Sequence, residues 1–305
     1  MENIKVEIVA DSINSQGDRL TSMVLTYPRI IHAEMMTHRM FSRNASSSRA
    51  VPIQKMIEAV KNNTFCPFKF QKAHKGMQGS EYFTGQDKED CIKLWLESAE
   101  LALQQAEKMK EKGITKQIVN RILEPYQYYT VLITGSKEGW DNFFELRCPA
   151  YELGIGKENI YFKSKKDYQE YLKLNGFTYT VPEENWKILN KGQGEIHIMK
   201  IAEMIYDALN ESTPIFKRAG EWHIPYFNDY HLPEVFYNAT VDELVKISTS
   251  MAARESYTVV GNEVEVSYEK HLELFDKLVA HKPPHSSPLE HTAQVPTQYE
   301  YDMAL

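Results

Sequence analysis

Thr37 to Arg49 reads T-H-R-M-F-S-R-N-A-S-S-S-R. This segment holds one imidazole, three guanidinium groups, four serine hydroxyls and no carboxylate. Guanidinium groups bind phosphate bidentately, and hydroxyl and backbone N–H groups complete such a site. The segment therefore predicts a site for an anion, with a nucleotide phosphate as the first choice. The alternative is a solvated basic loop, because a single motif match carries a risk of being false.

A helix is predicted directly before this segment. It begins at Pro28, because proline suits the first turn of a helix. If the helix continued to Phe41, His38 and Ser42 would lie one turn apart on the same face. The serines that follow would then end it.

The composition narrows the class of protein. Of the 305 residues 42% are hydrophobic and 25% are charged, which is typical of a globular protein with a sizeable core. The formal charge of −7 argues against general nucleic-acid binding, so the basic segment indicates a local site for a small anion. Cys66, Cys91 and Cys148 fit neither a disulfide framework nor a zinc site. Without an apolar run of membrane length, we expect a cytoplasmic protein with no nucleic-acid or membrane partner.

Periodicity predicts a mixture of strands and helices. Residues 5–10 and 22–27 alternate and flank a turn at 14–18, which indicates a hairpin. Residues 127–134 are rich in aromatic and β-branched side chains and form a further predicted strand. Helices are predicted at 51–62, 87–112, 115–123, 137–147, 195–209, 241–257 and 266–281. Residues 148–191 change in character and are interpreted as an insertion of unknown role.

Two other places carry candidate site residues. Strand, turn and helix over 127–147 bring Asn142 and Arg147 toward a site at the end of the strand, although Asn142 also suits a plain polar position on a helix. Arg121 lies near a helix end and could instead pair with Glu124. Near the C-terminus, H-S-S-P-L-E-H at 285–291 offers two imidazoles and a carboxylate. A metal site is one interpretation; because a proline separates the histidines and no nearby cluster completes a site, we predict no metal and favour a polar loop that contacts a cofactor.

These pieces together resemble the flavin-dependent thymidylate synthase family, particularly its bacteriophage branch. The family pattern R-H-R-x-x-S-x-N-x-x-S-x-R is matched except at its first position, where Thr37 stands; the matching residues are His38, Arg39, Ser42, Asn44, Ser47 and Arg49. The block H-x-[ST]-P-x-E-H is matched by His285, Ser287, Pro288, Glu290 and His291. A third block, N-x-x-x-L-R, is matched by Asn142, Leu146 and Arg147, with Arg121 on the preceding helix.

The order of these blocks differs from the usual family member, in which H-x-S-P-x-E-H precedes R-H-R. We interpret this as a circular permutation, which predicts that Met1 and Leu305 lie close together or near the same sites of neighbouring subunits. The resemblance implies an α+β fold with a mixed or antiparallel sheet and packed helices. Residues 1–147 and 192–305 would form one domain, interrupted by the insertion 148–191.

The resemblance implies the reductive methylation of dUMP to dTMP. Methylenetetrahydrofolate would supply the carbon, and FAD reduced by a nicotinamide cofactor (NADPH) would supply the hydride. A homotetramer with active sites shared between subunits is also implied, in the host cytoplasm if the protein is encoded by a phage. Such sharing would account for a site whose parts are far apart in sequence.

Roles follow from the resemblance residue by residue. Those similar to flavin contacts are His38, Arg39, Asn142, His285, Ser287 and Glu290. Those similar to the nucleotide cradle are Glu34, Ser47, Ser48, Arg49, Arg121 and Arg147. Arg147 is similar to the family arginine beside the pyrimidine, where a cation favours the ionised ring and makes carbon 5 more nucleophilic. Ser47 is interpreted as a phosphate ligand and not a nucleophile, because no adjacent base is evident.

Two alternatives stay open. Glu34 and Ala45 stand where the family often has Gln and Glu, and an exchange of amide for carboxylate changes which base is accepted. The enzyme would then methylate or hydroxymethylate another pyrimidine nucleotide, such as dCMP. The other alternative is a non-catalytic protein that binds a nucleotide or flavin.

Overall fold

The computed structural model describes residues 3–76, 79, 81–155, 158–178, 180–182, 186–227, 234–257 and 267–297. The β-strands are Lys5–Ile13 (β1), Arg19–Pro28 (β2), Ser42–Ala45 (β3), Tyr128–Ser136 (β4), Tyr151–Ile155 (β5), Glu158–Phe162 (β6), Ile215–Phe216 (β7), Trp222–His223 (β8) and Ala293–Gln294 (β9). The α-helices are His32–Met35 (α1), Ile53–Asn62 (α2), Gly85–Glu111 (α3), Lys116–Val119 (α4), Lys137–Arg147 (α5), Lys165–Leu174 (α6), Trp186–Leu189 (α7), Ile196–Glu211 (α8), Val241–Arg254 (α9) and Tyr268–Ala280 (α10). Short 3-10 helices cover Arg29–Ile31, Asn120–Tyr126, Glu234–Phe236, Glu255–Tyr257 and Ser287–His291.

A five-stranded sheet in the order β3-β4-β2-β1-β7 forms the centre of the fold. The pairs β1–β2, β2–β4 and β3–β4 are antiparallel, and β1–β7 is parallel. The sheet is therefore mixed, and the predicted α+β fold class is confirmed. The permuted order of the sequence blocks stays a prediction, and Met1 and Leu305 lie outside the described residues.

The predicted hairpin is confirmed and forms β1 and β2. Its turn is built locally: the Asn14 side-chain oxygen accepts the N–H groups of Gln16 (3.0 Å) and Asp18 (2.9 Å). Gly17 has a φ of 86°, a left-handed conformation that glycine adopts without steric cost. The turn thus fixes the register of two strands whose alternating pattern sets their faces.

The two faces of the sheet differ in chemistry. Met23 and Leu25 of β2 lie on the face that packs against α5 and α8, where Trp140 and Ile201 are also buried. Each such side chain contributes about 1.5–3 kcal/mol to stability. Because side chains alternate along a strand, the neighbour Ser22 points to the opposite face, where it is buried too. That second face carries a polar network, described below.

The helical segment predicted to begin at Pro28 is present over residues 29–35, but it does not continue to Phe41. Only a 3-10 turn and the four residues of α1 are helical, and β3 begins at Ser42. The carbonyl groups of Met36 and His38 accept the Arg43 guanidinium, at 2.9 Å each, and do not continue a helix. β3 then pairs with β4, so tertiary pairing overrides the local helical preference. His38 and Ser42 accordingly do not share a helix face.

The other predicted helices and the strand at 127–134 are confirmed with small shifts at their ends. The region 115–123 is helical in two parts, α4 and the 3-10 helix that follows. α2, α3 and this 3-10 helix share a second apolar cluster, which includes Val60, Leu103 and Leu123. Among the described residues no helix is long and apolar enough to cross a membrane.

Residues 151–189 contain the hairpin β5–β6 with α6 and α7. Their buried side chains form a separate cluster: Tyr151, Tyr168, Leu172, Val181 and Trp186. The boundaries 1–147, 148–191 and 192–305 stay a prediction.

Candidate active site

A cavity of about 670 Å³ lies between the chain around β3, the helices α9 and α10, and the 3-10 helix at 287–291. Ser47 and Arg49 of the first motif line it, and so do His285 and Ser287 of the last. These two motifs are more than 230 residues apart in sequence. We call this space the basic cavity, because its described lining contains no aspartate or glutamate and includes further basic residues: Lys116, Lys277 and His281.

Ser47 and Arg49 are held in a tight turn. The Ser47 N–H donates to the Ser256 carbonyl at 3.0 Å, and the Arg49 N–H donates to the Ser47 hydroxyl at 3.3 Å. Asn120, which is fully buried, donates to the carbonyl groups of Ser48 (2.8 Å) and Val51 (2.9 Å). A buried amide with two carbonyl partners fixes the turn, because breaking either bond would leave a desolvated acceptor.

The C-terminal block forms another wall of the basic cavity. Pro288 and His291 are buried within the 3-10 helix, whereas His285 and Ser287 are exposed at its entrance. The His285 N–H donates to the Leu278 carbonyl at 3.1 Å, which ties this loop to α10. The rings of His281 and His285 lie edge to face, 4.7 Å apart.

A second group of site residues gathers at the end of α5. Nε of Arg147 donates to Nε2 of His38 at 2.9 Å. The other guanidinium nitrogens lie 3.5 Å from a Glu34 carboxylate oxygen and 3.4 Å from the Thr37 hydroxyl. We call these four residues the Arg147 cluster. Thr37, which replaces the first arginine of the family pattern, thus supports Arg147 directly.

His38 is neutral in this cluster. Burial and, after it, the neighbouring cations Arg147 and Arg43 together lower the pKa of His38 to about 4. Since Nε2 accepts the bond from Arg147, the proton of the neutral ring lies on Nδ1. The His38 ring packs against Phe41 and Phe143, with centroids 6.2 and 4.9 Å apart.

The pKa of Glu34 is also shifted. Partial burial raises its pKa, Arg147 opposes that shift, and the nearby Glu195 adds to it. The carboxyl group therefore takes up a proton more readily than an ordinary glutamate. A protonated carboxyl can donate a hydrogen bond, whereas a carboxylate can only accept.

Several predicted residues join neither group. Arg39, Arg121, Asn142 and Glu290 are exposed, and none is among the described lining of the basic cavity. Ser48 is buried and is not among that lining either. Glu124 pairs with Arg29 at 3.2 Å, so the proposed pairing of Arg121 with Glu124 is not the one seen.

Sequence reasoning missed three basic residues of the basic cavity. Lys277 and His281 are one helical turn apart near the end of α10, and His285 follows after four more residues. That spacing of four was a usable signal for one basic face. Lys116 gave no signal; its ammonium group donates to the Ala50 carbonyl at 2.7 Å, beside Arg49.

A comparison with protein families matches residues 19–152 to the thymidylate synthase complementing protein. The likeness to this family therefore covers residues 19–152, somewhat less than half of the chain. The matched region contains the segment 37–49 together with Arg121, Asn142 and Arg147, and it ends before the block 285–291. A comparison with curated proteins gives no match.

Solved structures similar to this chain include two of the UMP/dUMP methylase PolB from Streptomyces cacaoi. The one bound with 5-Br dUMP has a TM-score of 0.44 and 13% sequence identity, over 68% of this chain and 91% of that chain. The one bound with 5-Br UMP has a TM-score of 0.46 and 15% identity, over 68% of this chain and 89% of that chain.

A chain of hydrogen bonds crosses the polar face of the sheet. His291 lies 3.2 Å from the Asn44 side-chain oxygen through Nε2 and 2.8 Å from the Thr134 hydroxyl through Nδ1. Thr134 lies 2.6 Å from the Ser22 hydroxyl on the neighbouring strand. We call the whole series the polar chain; its members in order are Asn44, His291, Thr134, Ser22, His223 and Ser12.

The polar chain ends at a second, smaller cavity of about 180 Å³. Ser22 contacts Nε2 of His223 and Ser12 contacts Nδ1, at 2.8 Å each. Ser12 and His223 line this smaller cavity, and Asn44 lines the basic cavity. The polar chain therefore spans the sheet from one cavity to the other.

The protein should lose stability between pH 7 and pH 4. Burial lowers the pKa of His38 and His223 to about 4 and that of His291 to about 3. An unfolded histidine has a pKa near 6.5. Below that pH the unfolded state binds more protons, so the free energy of unfolding falls as pH falls, by up to about 1.4 kcal/mol per pH unit for each histidine.

Urea denaturation at pH 7, 6 and 5 measures this dependence. We expect His291→Gln to flatten the pH profile, because the substitution removes one of the groups that titrate. His74→Gln, which changes an exposed histidine, serves as the control. Equal slopes in the wild type and His291→Gln would contradict the assignment.

The described residues contain no group of three histidine, cysteine, aspartate or glutamate side chains placed to hold a metal ion. Burial raises the pKa of the Cys148 thiol well above its usual range. A buried thiol of this kind is a poor nucleophile.

Proposed function

We propose that the protein reductively methylates dUMP to dTMP. The C5–H bond is replaced by C5–CH₃: methylenetetrahydrofolate gives up one carbon and leaves as tetrahydrofolate, NADPH is oxidised to NADP⁺, and one proton is taken up overall. The observation that carries the proposal is the basic cavity, in which Ser47 and Arg49 meet His285 and Ser287 without any described carboxylate. The match of residues 19–152 to the thymidylate synthase complementing protein supports the same reaction class.

The nucleotide phosphate is proposed to bind Ser47 and Arg49. A guanidinium fork and a hydroxyl held by the turn suit a phosphate dianion. Lys116 and Lys277 add two cations to the walls of the same cavity. Ser48 and Arg121 are also predicted to bind the nucleotide. Neither is among the described lining of the basic cavity, so their contact with the nucleotide stays a prediction.

The basic cavity also has the chemistry to hold part of FAD. Its volume lies within the range of cofactor pockets. A pyrophosphate group needs hydrogen-bond donors, and His285 and Ser287 of the same lining provide them. When bound, the flavin supplies the hydride that reduces the transferred carbon to a methyl group. His38, Arg39, Asn142 and Glu290 stay proposed flavin contacts.

Arg147 is proposed to lie beside the pyrimidine. Negative charge develops on the ring when carbon 5 attacks the methylene carbon, and a fixed cation stabilises that charge. Arg147 is held for this purpose by His38, which is neutral and therefore does not repel it. Glu34 and Thr37 hold the other two nitrogens of the guanidinium group.

We propose that the active site is shared between subunits of a homotetramer. Arg39, Asn142 and Glu290 are exposed and outside the described lining, so a second subunit is needed to bring them to bound ligands. The molar mass by light scattering tests the assembly. A homotetramer should give about four times the 35.4 kDa of one chain.

The second candidate is the same chemistry on dCMP. Glu34, 3.5 Å from Arg147, stands where the family often has glutamine. An ionised glutamate accepts hydrogen bonds but cannot donate them, which suits the amino group of cytosine better than the carbonyl of uracil. The raised pKa of Glu34 keeps uracil as the first choice, because a protonated carboxyl can donate to the carbonyl.

Tritium release from carbon 5 decides between the candidates. The purified protein is mixed with methylenetetrahydrofolate, FAD and NADPH, and with dUMP, dCMP or UMP labelled at carbon 5. Release from dUMP with formation of dTMP supports the first proposal. Release from dCMP alone, reversed by Glu34→Gln, supports the second. Flavin absorbance without release from any nucleotide would leave a non-catalytic binding protein.

We expect Arg49→Ala and Lys277→Ala each to weaken dUMP binding about tenfold, because each removes a charge-assisted contact to phosphate. Isothermal titration measures the Kd, which should also rise with salt. Lys173→Ala removes an exposed lysine of α6 and serves as the control. Unchanged affinity in both variants would place the phosphate elsewhere.

A further inference from the structure

The Asn44 side chain lines the basic cavity, and its amide is held at both ends. The Nδ2 group donates to the Ala252 carbonyl at 3.2 Å, and Oδ1 lies 3.2 Å from Nε2 of His291. An amide nitrogen carries two N–H groups, so one N–H is left after the bond to Ala252. Only 6% of Asn44 is exposed, so water cannot replace the hydrogen bonds of this amide and breaking them costs free energy.

The amide orientation fixes the hydrogen positions along the polar chain. A backbone carbonyl cannot donate, so the atom of Asn44 that faces Ala252 must be the nitrogen. Oδ1 then faces His291, so Nε2 of His291 carries the proton and Nδ1 accepts from Thr134. By the same logic Thr134 accepts from Ser22, and Ser22 accepts from Nε2 of His223, whose Nδ1 accepts from Ser12. Every hydrogen bond in the polar chain therefore points toward Asn44.

Reversing the amide would be expensive. With Asn44 flipped, its nitrogen would face the N–H of His291 and its oxygen would face the Ala252 carbonyl. These two mismatched contacts could be removed only if every hydrogen bond along the polar chain reversed its direction. Each member is at most 8% exposed, so water cannot replace the lost hydrogen bonds. The sheet thus holds the side chain of Asn44 in one orientation.

We propose that Asn44 is a nucleotide-binding residue and His291 the positioning residue that holds it, so that the remaining Asn44 N–H donates to an acceptor oxygen of the bound nucleotide. This inference rests on the proposed function and adds two roles to it. His291 is not among the described lining of the basic cavity, so it acts through Asn44. The acceptor oxygen belongs either to the phosphate or to a pyrimidine carbonyl.

A double substitution distinguishes a positioning role of His291 from a purely structural role. His291→Gln keeps an N–H that can reach Asn44, whereas His291→Leu removes it. We expect His291→Leu to raise the Kd of dUMP about tenfold and His291→Gln to change it less than threefold. In the Asn44→Ala background, His291→Leu should add less than a twofold change, because the residue it positions is gone.

Deoxyuridine distinguishes the two sources of the acceptor oxygen. If Asn44 binds a pyrimidine carbonyl, Asn44→Ala weakens deoxyuridine and dUMP by the same factor. If it binds phosphate, the substitution weakens dUMP and inorganic phosphate and leaves deoxyuridine unchanged. Independent, multiplying effects of Asn44→Ala and His291→Leu would overturn the inference, as would a His291→Gln variant as weak as His291→Leu.

The tautomer of His291 tests the inference without any nucleotide. In the full-length protein labelled with ¹⁵N-histidine, the imidazole shifts of His291, assigned with His291→Gln, should be those of a neutral ring protonated on Nε2 at pH 7. A ring protonated on Nδ1 would overturn the inference. If the wild type bound no nucleotide, the proposed function would be wrong. The tautomer of His291 and the binding of inorganic phosphate would still test the role of Asn44.

Discussion

Arg147→Ala should lower tritium release from carbon 5 of dUMP by a factor of about 10² to 10³, the loss expected when a fixed group that stabilises developing charge is removed. The guanidinium is the last side chain of α5 and is held by contacts to Glu34, Thr37 and His38. Its position is therefore set before any nucleotide binds, so no free energy is spent on orienting it during the reaction. The fall should appear in kcat more than in KM, because the charge develops only in the transition state.

Two further variants sharpen the test of Arg147. Arg147→Lys keeps the charge but loses the planar fork, so we expect an intermediate rate. Lys163→Ala removes a cation that pairs with Glu145 of α5 at 2.7 Å. This variant should keep the rate within twofold of the wild-type rate. Full tritium release by Arg147→Ala, with a normal melting temperature, would show that Arg147 is not the activating cation.

Local sequence patterns predicted the elements whose partners are near in sequence. The hairpin of β1 and β2 follows from alternation and from a turn that contains Asn14 and Gly17. α5 follows from its apolar spacing and its start after Gly135-Ser136. The residues after Pro28 also had a helical pattern, but β3 must reach β4, almost ninety residues later in the chain. Pairing between distant strands cannot be detected in local periodicity. Here the pairing of β3 with β4 determines that the chain leaves the helical conformation.

The site was predictable in its chemistry and only partly in its arrangement. The motifs predicted Ser47, Arg49, His285 and Ser287 as binding residues, but not that they line one cavity. The polar chain escaped prediction, because a single Ser22 or Thr134 in a strand has no pattern that distinguishes it. Its six members come from six different strands and helices and are linked only by the fold.

Gly192→Ala should destabilise the protein by about 3 kcal/mol and lower activity about tenfold to a hundredfold. A methyl group at this position would lie 2.8 Å from the Cys148 carbonyl oxygen, 2.8 Å from Cα of Pro149 and 2.6 Å from the sulfur of Met199. The sulfur can move at little cost, but the two backbone atoms cannot move alone. They directly follow Arg147, so relief of the clash shifts the end of α5.

Gly154→Ala is the matched control, because a methyl group there meets only a side-chain oxygen of Asn159 at 3.5 Å, an ordinary contact. Urea denaturation gives the stability, and tritium release gives the activity at a temperature where both variants stay folded. If Gly192→Ala were destabilised but fully active when folded, the backbone after α5 would move without carrying Arg147. Because an error of about 1 Å in a catalytic group costs about a hundredfold in rate, loss of activity in the folded variant would instead tie the placement of Arg147 to this glycine.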